Sequence, residues 1–276
     1  MTQKSNKNTL IGIGVIVTAV ILGLSFWNIN QKPQQQLTIG ISPSFAKPLQ
    51  VAADEIKAQG IQVKLVEFSD WNTPNITLNH GDIDANFFQH QPFLDHAKQQ
   101  TDFKIKAFAK GAATHVGLYS KKYQRFDDLP QGASVAIPND PVNQGRALLL
   151  LQQAGLIQLK QVDHYLSNLN DIITNPKNLK FIEVEGPQTA RAIDDVDLAF
   201  GYPHYLRMAK TADPEQALLF DDHSSDRYAI LFAVREDYQD HDDTLAKFVH
   251  VYQNSPKVKA ALDAEFGSKL WFAGWK

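Results

Sequence analysis

The sequence predicts an α/β fold held outside a membrane by an N-terminal apolar segment, and three observations predict it. From residue 37 onward, short β-branched and aromatic runs alternate with amphipathic or Leu-rich stretches, the order that builds mainly parallel sheets covered by helices. Residues 9–27, TLIGIGVIVTAVILGLSFW, carry no charge and have the length of a bilayer-crossing helix. The chain's 276 residues, 43% hydrophobic and 21% charged, can bury the core of one large or two small domains.

Taken in order, residues 1–8 form a short head in which Lys4 and Lys7 hold the N-terminus in the cytoplasm and put the body outside. Residues 9–27 read as an uncleaved, single-pass inner-membrane anchor. A cleaved signal peptide, with Gly23-Leu24-Ser25 as its small-residue site, is the competing reading. The polar, Pro-containing residues 28–36 are a tether. In the body, 37–41 is a strand, 47–57 an amphipathic helix, 63–68 a strand, and 75–78 a helix stopped at Gly81. Residues 93–100 are helical, and 103–108 and 116–119 are strands. Residues 121–130 look like a crossing to a second lobe. There, 134–137 is a strand that runs through Pro138-Asn139-Asp140-Pro141 into a strong helix, 143–154, with a Gly155 stop. Residues 179–184, 190–193 and 198–200 complete that lobe. Residues 229–234 are a strand returning to the first lobe, and helices 243–252 and 256–266 close the chain.

A net charge of −3 gives no reason to expect nucleic acid as a partner. With no cysteine, disulfides and thiol chemistry are excluded. There is no Gly-x-Ser-x-Gly elbow, P-loop or His-Glu-x-x-His, and the nine histidines lack metal-ligand spacing, so neither an enzyme nor a cofactor is expected. The densest His/carboxylate groups, His223 beside Asp221-Asp222 and Asp240-His241-Asp242-Asp243, lie in polar stretches that read as solvated surface.

Residues 82–94, DIDANFFQHQPFL, organise the rest. Three aromatics, one His and several amides at this density suit the wall of a pocket for a ligand part apolar and part polar. They also suit a core strand ending at Pro92, in which Phe87 and Phe88 face opposite ways. Arg146 follows the 139–145 loop near a helix start, where a cation is unfavourable unless an anion offsets it. That anion is either a ligand carboxylate or a carboxylate of the chain, such as Asp140. Asn143 is either a ligand contact or a helix cap, and His90 either a ligand contact or a structural His.

The stretches 66–94, 136–157 (AIPNDPVNQGRALLLLQQAGLI), 175–197 and 228–237 (YAILFAVRED) resemble the NlpA/MetQ family, the methionine-binding, substrate-capturing lipoproteins of bacterial ABC importers. The likeness runs from about Leu37 to near the C-terminus. It implies a two-lobed periplasmic binding-protein fold, type II-like, with lobe I at 37–120 and 226–276, lobe II at 121–225 and a ligand between them. It also implies a monomer working with an ABC permease and ATPase. By the same resemblance Arg146 contacts the ligand carboxylate beside Asn143, and Trp71, Phe88 and His90 belong to the pocket, whose apolar cage Phe87, Phe88 and Phe93 are expected to fill out.

The chain departs from the family in three ways. The usual lipid-bearing Cys is absent. Where similar proteins read INGNYA, this chain has Tyr202 and His204 in place of two asparagines. Where they read YANVIAVR, Ile230 replaces a third. Each lost polar contact to the ligand costs about 1–3 kcal/mol, so the resemblance implies a carboxylate arm that is kept and an amine arm that is altered. The expected function is an anchored extracytoplasmic binding protein taking methionine or a related small acid. The alternatives are a receptor retuned to another ligand, and a tethered sensory or scaffold protein.

Overall fold

The computed structural model describes residues 35–160, 165–221 and 226–276. The expected head, the anchor at 9–27 and nearly all of the tether lie outside the described residues. Among those described, no helix is long and apolar enough to cross a membrane.

The first part of the chain alternates as expected: β1 (Gln35–Ile41), α1 (Ala46–Ile56), β2 (Ile61–Glu67), α2 (Thr73–His80), β3 (Ala85–His90), α3 (Gln91–Gln100) and β4 (Ile105–Lys110). Two short strands follow, β5 (Ala112–Thr114) and β6 (Gly117–Tyr119). Then come β7 (Ser134–Pro138), α4 (Pro141–Gln153), β8 (Gln158–Leu159), β9 (Ile172–Thr174), β10 (Lys180–Val184), α5 (Thr189–Ala192), β11 (Leu198–Gly201), α6 (Pro203–Ala209) and β12 (Leu219–Phe220). The chain closes with β13 (Ile230–Arg235), α7 (Thr244–Asn254), α8 (Pro256–Phe266) and β14 (Trp271–Ala273).

Two five-stranded sheets result, in the orders β2-β1-β3-β13-β4 and β10-β7-β11-β6-β12. In each, three parallel strands lie side by side and the fourth, β13 or β6, runs antiparallel to both its neighbours. Each sheet is therefore mainly parallel, as expected, with one strand of five reversed. Each has its own core. Leu37, Ile39 and Ile41 of β1 meet Leu49, Ala52 and Ile56 of α1 and Phe248 of α7 in the first. Val135, Ile137, Leu148, Leu151 and Phe200 fill the second.

The helix ends follow local rules. The apolar positions of α1 recur at Leu49, Ala52, Ala53 and Ile56, one helical face. Gly81 ends α2 in the left-handed conformation, at φ 88°. Asp140 caps α4 by accepting a hydrogen bond from the Asn143 amide, and Pro141 opens the helix. The helix thus starts before Asn143, and Asn143 is not its cap.

β6 pairs with β11 and β12, inside the second sheet. The first crossing therefore lies just before Gly117 rather than at 121–130, and the lobe boundary expected at 120 moves to about residue 115. The reason is that Lys121–Pro130 is surface chain, whose mixed charge signals exposure and not a change of lobe. β13 does return to the first sheet, between β3 and β4. At the crossing, β14 from the chain's end pairs with β5.

Candidate functional site

A cleft of about 450 Å³, including its open mouth, lies between the lobes. Eight of the nine expected site residues line it: Trp71, Phe88, His90, Asn143, Arg146, Tyr202, His204 and Ile230. Phe87 does not. It is wholly buried in the first core, with Phe45, Phe232 and Tyr252 rings centred 5.2, 4.4 and 5.4 Å away. Successive strand residues face opposite ways, so only one of Phe87 and Phe88 reaches the cleft.

The first-lobe wall is the end of β3 and the start of α3. All six residues of β3 are buried, because β1 and β13 flank the strand. Its amides are satisfied internally: Asn86 Nδ2 and Gln89 Nε2 both donate to Asn75 Oδ1, at 2.9 and 2.6 Å, and Asn75 Nδ2 donates to Gln89 Oε1 at 2.9 Å. His90 caps α3, its Nδ1 accepting from the Phe93 amide at 3.3 Å. That fixes the tautomer, so Nε2 carries the proton and donates to Asn143 Oδ1 across the cleft, 3.2 Å away. Burial, and then the nearby Arg146 charge, lower the His90 pKa to about 3, so the ring is neutral.

The second-lobe wall begins with α4. Asn143 Nδ2 donates to Asp140 Oδ1 at 3.0 Å, so this side chain is held from both sides. Arg146 sits in the second turn of α4, too far from the helix end for the dipole to bear on it strongly. Its Nη2 donates to Asp221 Oδ2 at 2.6 Å, and both side chains are buried. The chain's own carboxylate partner is thus Asp221 and not Asp140. Asp221 is 7% exposed, which overturns its reading as solvated surface: its two neighbours in space, Arg146 and His115, are remote in sequence. Its other oxygen accepts from the Val116 amide at 3.2 Å and contacts His115 Nδ1 at 3.0 Å. Burial alone raises the Asp221 pKa, but the His115 bond and the Arg146 charge outweigh it and leave the carboxyl below its ordinary value. The Asp221 bond in turn raises the His115 pKa. Tyr228 covers the guanidinium face, 4.0 Å from ring centre to carbon.

At the positions where the resemblance implies asparagines, the Tyr202 and His204 rings follow the end of β11. The Tyr202 hydroxyl, the His204 Nδ1 and the Arg146 Nε are buried without a hydrogen-bond partner. Three such atoms around one cavity are unusual in a folded protein, and all three line this cleft. His204 is also held neutral, its pKa lowered to about 3 by burial and then by Arg146. Aromatic contacts and hydrogen bonds bridge the lobes. Tyr205 Oη shares a 2.7 Å hydrogen bond with Ser42 Oγ and accepts from Trp71 Nε1 at 3.2 Å. The Trp71 ring lies so close to Gly186 that a Cβ there would come within 2.1 Å of it.

Sequence reasoning missed Phe45, Thr114, Tyr205 and Tyr228 as lining residues. Tyr228 and Tyr205 each lie within three residues of a position that was singled out. Phe45 and Thr114 gave no local signal. The arrangement can bury an apolar group among Trp71, Phe88 and Phe93 and offer hydrogen bonds at the Arg146 end. It has no nucleophile paired with a base. Among the described residues no cluster of His, Asp or Glu is placed to hold a metal ion.

The sequence pattern described as NlpA lipoprotein matches residues 37–273. The D-methionine-binding lipoprotein MetQ of Escherichia coli K12 is 35% identical over 235 residues, covering 84% of this chain and 86% of its own. An ABC-transporter periplasmic substrate-binding protein from Coxiella burnetii superposes with a TM-score of 0.78 at 37% identity, over 86% of this chain and 99% of its own. A nutrient-binding protein from Burkholderia cenocepacia, solved bound to methionine, gives 0.77 at 37% identity, over 86% and 99%. These relatives are binding proteins and not enzymes, and they share the two-lobed α/β fold. Since the pattern spans almost the whole described fold and the relatives match along most of their length, this chain belongs to the NlpA lipoprotein family.

Proposed function

We propose that this protein is an extracytoplasmic substrate-binding protein of an ABC importer, capturing methionine or a closely related small acid between its lobes and delivering it to a permease and ATPase. The observation that carries the reading is the interlobe cleft itself. It combines one buried guanidinium, from Arg146, with an aromatic cage of Trp71, Phe88 and Phe93, and both lobes contribute to it. A carboxylate suits the guanidinium, and a thioether chain suits the rings. The relatives named for methionine binding support the same ligand class.

A second reading, a receptor retuned to a different solute, is favoured by one observation: the unpartnered Tyr202 and His204 atoms. They offer a phenol and an imidazole where the family offers amides. Calorimetric titration of the purified body with L- and D-methionine tests the first reading. Binding is expected to be lost on Arg146→Ala; no heat from either enantiomer points to the retuned receptor.

The uncharged segment 9–27 is proposed to tether the body to the inner membrane from outside, in a chain that has no cysteine to carry a lipid. Recovery of the full chain in the membrane fraction after alkaline washing supports this tether; release into the soluble fraction contradicts it.

A further inference from the structure

The guanidinium expected to receive a ligand carboxylate already holds one. Arg146 Nη2 lies 2.6 Å from Asp221 Oδ2, with side-chain exposures of 8% and 7%, so water does not screen the pair. The remaining surroundings of the Arg146 head leave a second anion little room. Tyr228 covers its face at 4.0 Å, and the Thr114 carbonyl lies 3.5 Å from Nη2. Its Nε is buried without a hydrogen-bond partner, and the bonds to Thr114 and Asp221 are both made by Nη2.

Asp221 is also placed to let go. Its Oδ1 faces His115 Nδ1 at 3.0 Å and the Val116 amide at 3.2 Å, so it keeps partners when Oδ2 leaves Arg146. His115 borders a separate opening of about 650 Å³, which Asp221, Glu215 and Lys269 also line. There is space on that side for the carboxylate to swing into.

We propose that Asp221 is an intramolecular competitor for the anion site of Arg146, and that a ligand carboxylate binds only by displacing it toward His115. Two carboxylates on one buried guanidinium repel each other, so the ligand's gain is reduced by what Asp221 gives up. Asp221 thereby sets specificity. It penalises every carboxylate ligand and lets through those whose remaining contacts, in the aromatic cage and at Tyr202 and His204, outweigh the penalty. The inference rests on the reading of the cleft as the binding site.

The test compares the wild-type body with Asp221→Asn, which keeps an oxygen for the Val116 amide. Trp71 fluorescence follows titration with L-methionine and, separately, with hexanoate, a carboxylate with no amine. A cooperative thermal transition shows that the variant is folded, and Asp221→Ser serves if it is not. The variant is expected to bind hexanoate, and methionine if methionine is a ligand, at least about tenfold more tightly than the wild type. Equal or weaker carboxylate binding by the variant, including no binding by either protein, overturns the proposal. The two readings fail separately. Methionine bound equally tightly by both proteins removes the competitor and keeps the receptor. Hexanoate binding sharpened in the variant, with methionine ignored by both, keeps the competitor and removes the methionine receptor.

Discussion

Two neighbouring phenylalanines show how one residue step decides a role. Phe87 and Phe88 have the same chemistry, and strand alternation sends one to the core and the other to the cleft. Phe87→Ala is expected to cost about 3–5 kcal/mol of stability in urea denaturation, as large-to-small core changes do. Phe88→Ala is expected to weaken ligand binding and cost less stability. A Phe87→Ala variant as stable as the wild type would return that ring to the cleft. Tyr202 gives the opposite sign. Its hydroxyl is buried without a partner, so Tyr202→Phe is expected to raise the stability of the ligand-free protein by about 1 kcal/mol, because no hydrogen bond is lost with the oxygen. A loss of stability would mean that the hydroxyl has found a partner. At this scale the site was legible where family motif and geometry coincide, at Arg146, Asn143 and His90. It was illegible at Asp221, because a polar dipeptide looks the same whether it meets water or a guanidinium 75 positions away in sequence.

Among the elements, the strand–loop–helix unit formed by β7, the 139–140 loop and α4 does the most for the cleft. Asp140 caps the helix and grips Asn143, Asn143 receives His90 from the opposite lobe, and Arg146 follows one turn later. Gly145 lies inside this unit. A Cβ there would stand 2.1 Å from the Tyr165 carbonyl oxygen, so Gly145→Ala is expected to push α4 from its bed and cost about 2 kcal/mol, within the range of overpacking. Thermal unfolding of that variant tests the point; an unchanged transition would show that the 165 segment yields freely. Elements of this kind were readable in the sequence because their caps and stops are local: Pro141, Gly81 and Gly155 are signals within one turn of the boundary they mark. β6 was not assigned to the correct sheet, because pairing with β11 is a contact that no local pattern encodes.

For the molecule as a whole, closure and pH are the observable properties. Gly186 of the second lobe lies against the Trp71 ring of the first. Gly186→Ala is expected to hold the lobes apart, lower ligand affinity at least about tenfold and remove ligand-induced compaction in small-angle scattering, with little effect on melting. Compaction equal to the wild type would show that the ring turns aside. The pH response follows from two neutral imidazoles. His90 and His204 have pKa values of about 3 in the fold, against about 6.5 in the unfolded chain. Below about 6.5 the unfolded chain therefore binds more protons, and stability falls as pH drops toward 3, by roughly 1.4 kcal/mol per pH unit for each imidazole. His115, with its pKa raised by Asp221, contributes in the opposite sense, losing its stabilisation as pH climbs through its folded value. Urea midpoints from pH 4.5 to 8 are expected to flatten in a His90→Gln variant; an identical slope would place the proton uptake elsewhere. The two-lobed plan was legible from the family motifs and only weakly from periodicity. The insertion of the whole second lobe between β5 and β13 has a further consequence for biosynthesis. A nascent chain can complete the second sheet before the first, because β3 lacks its β13 neighbour until nearly all of the polypeptide has emerged. Until then β3, every residue of which is buried in the finished fold, keeps one edge unpaired and exposes Phe87 and Phe88, a state open to capture by a holding chaperone.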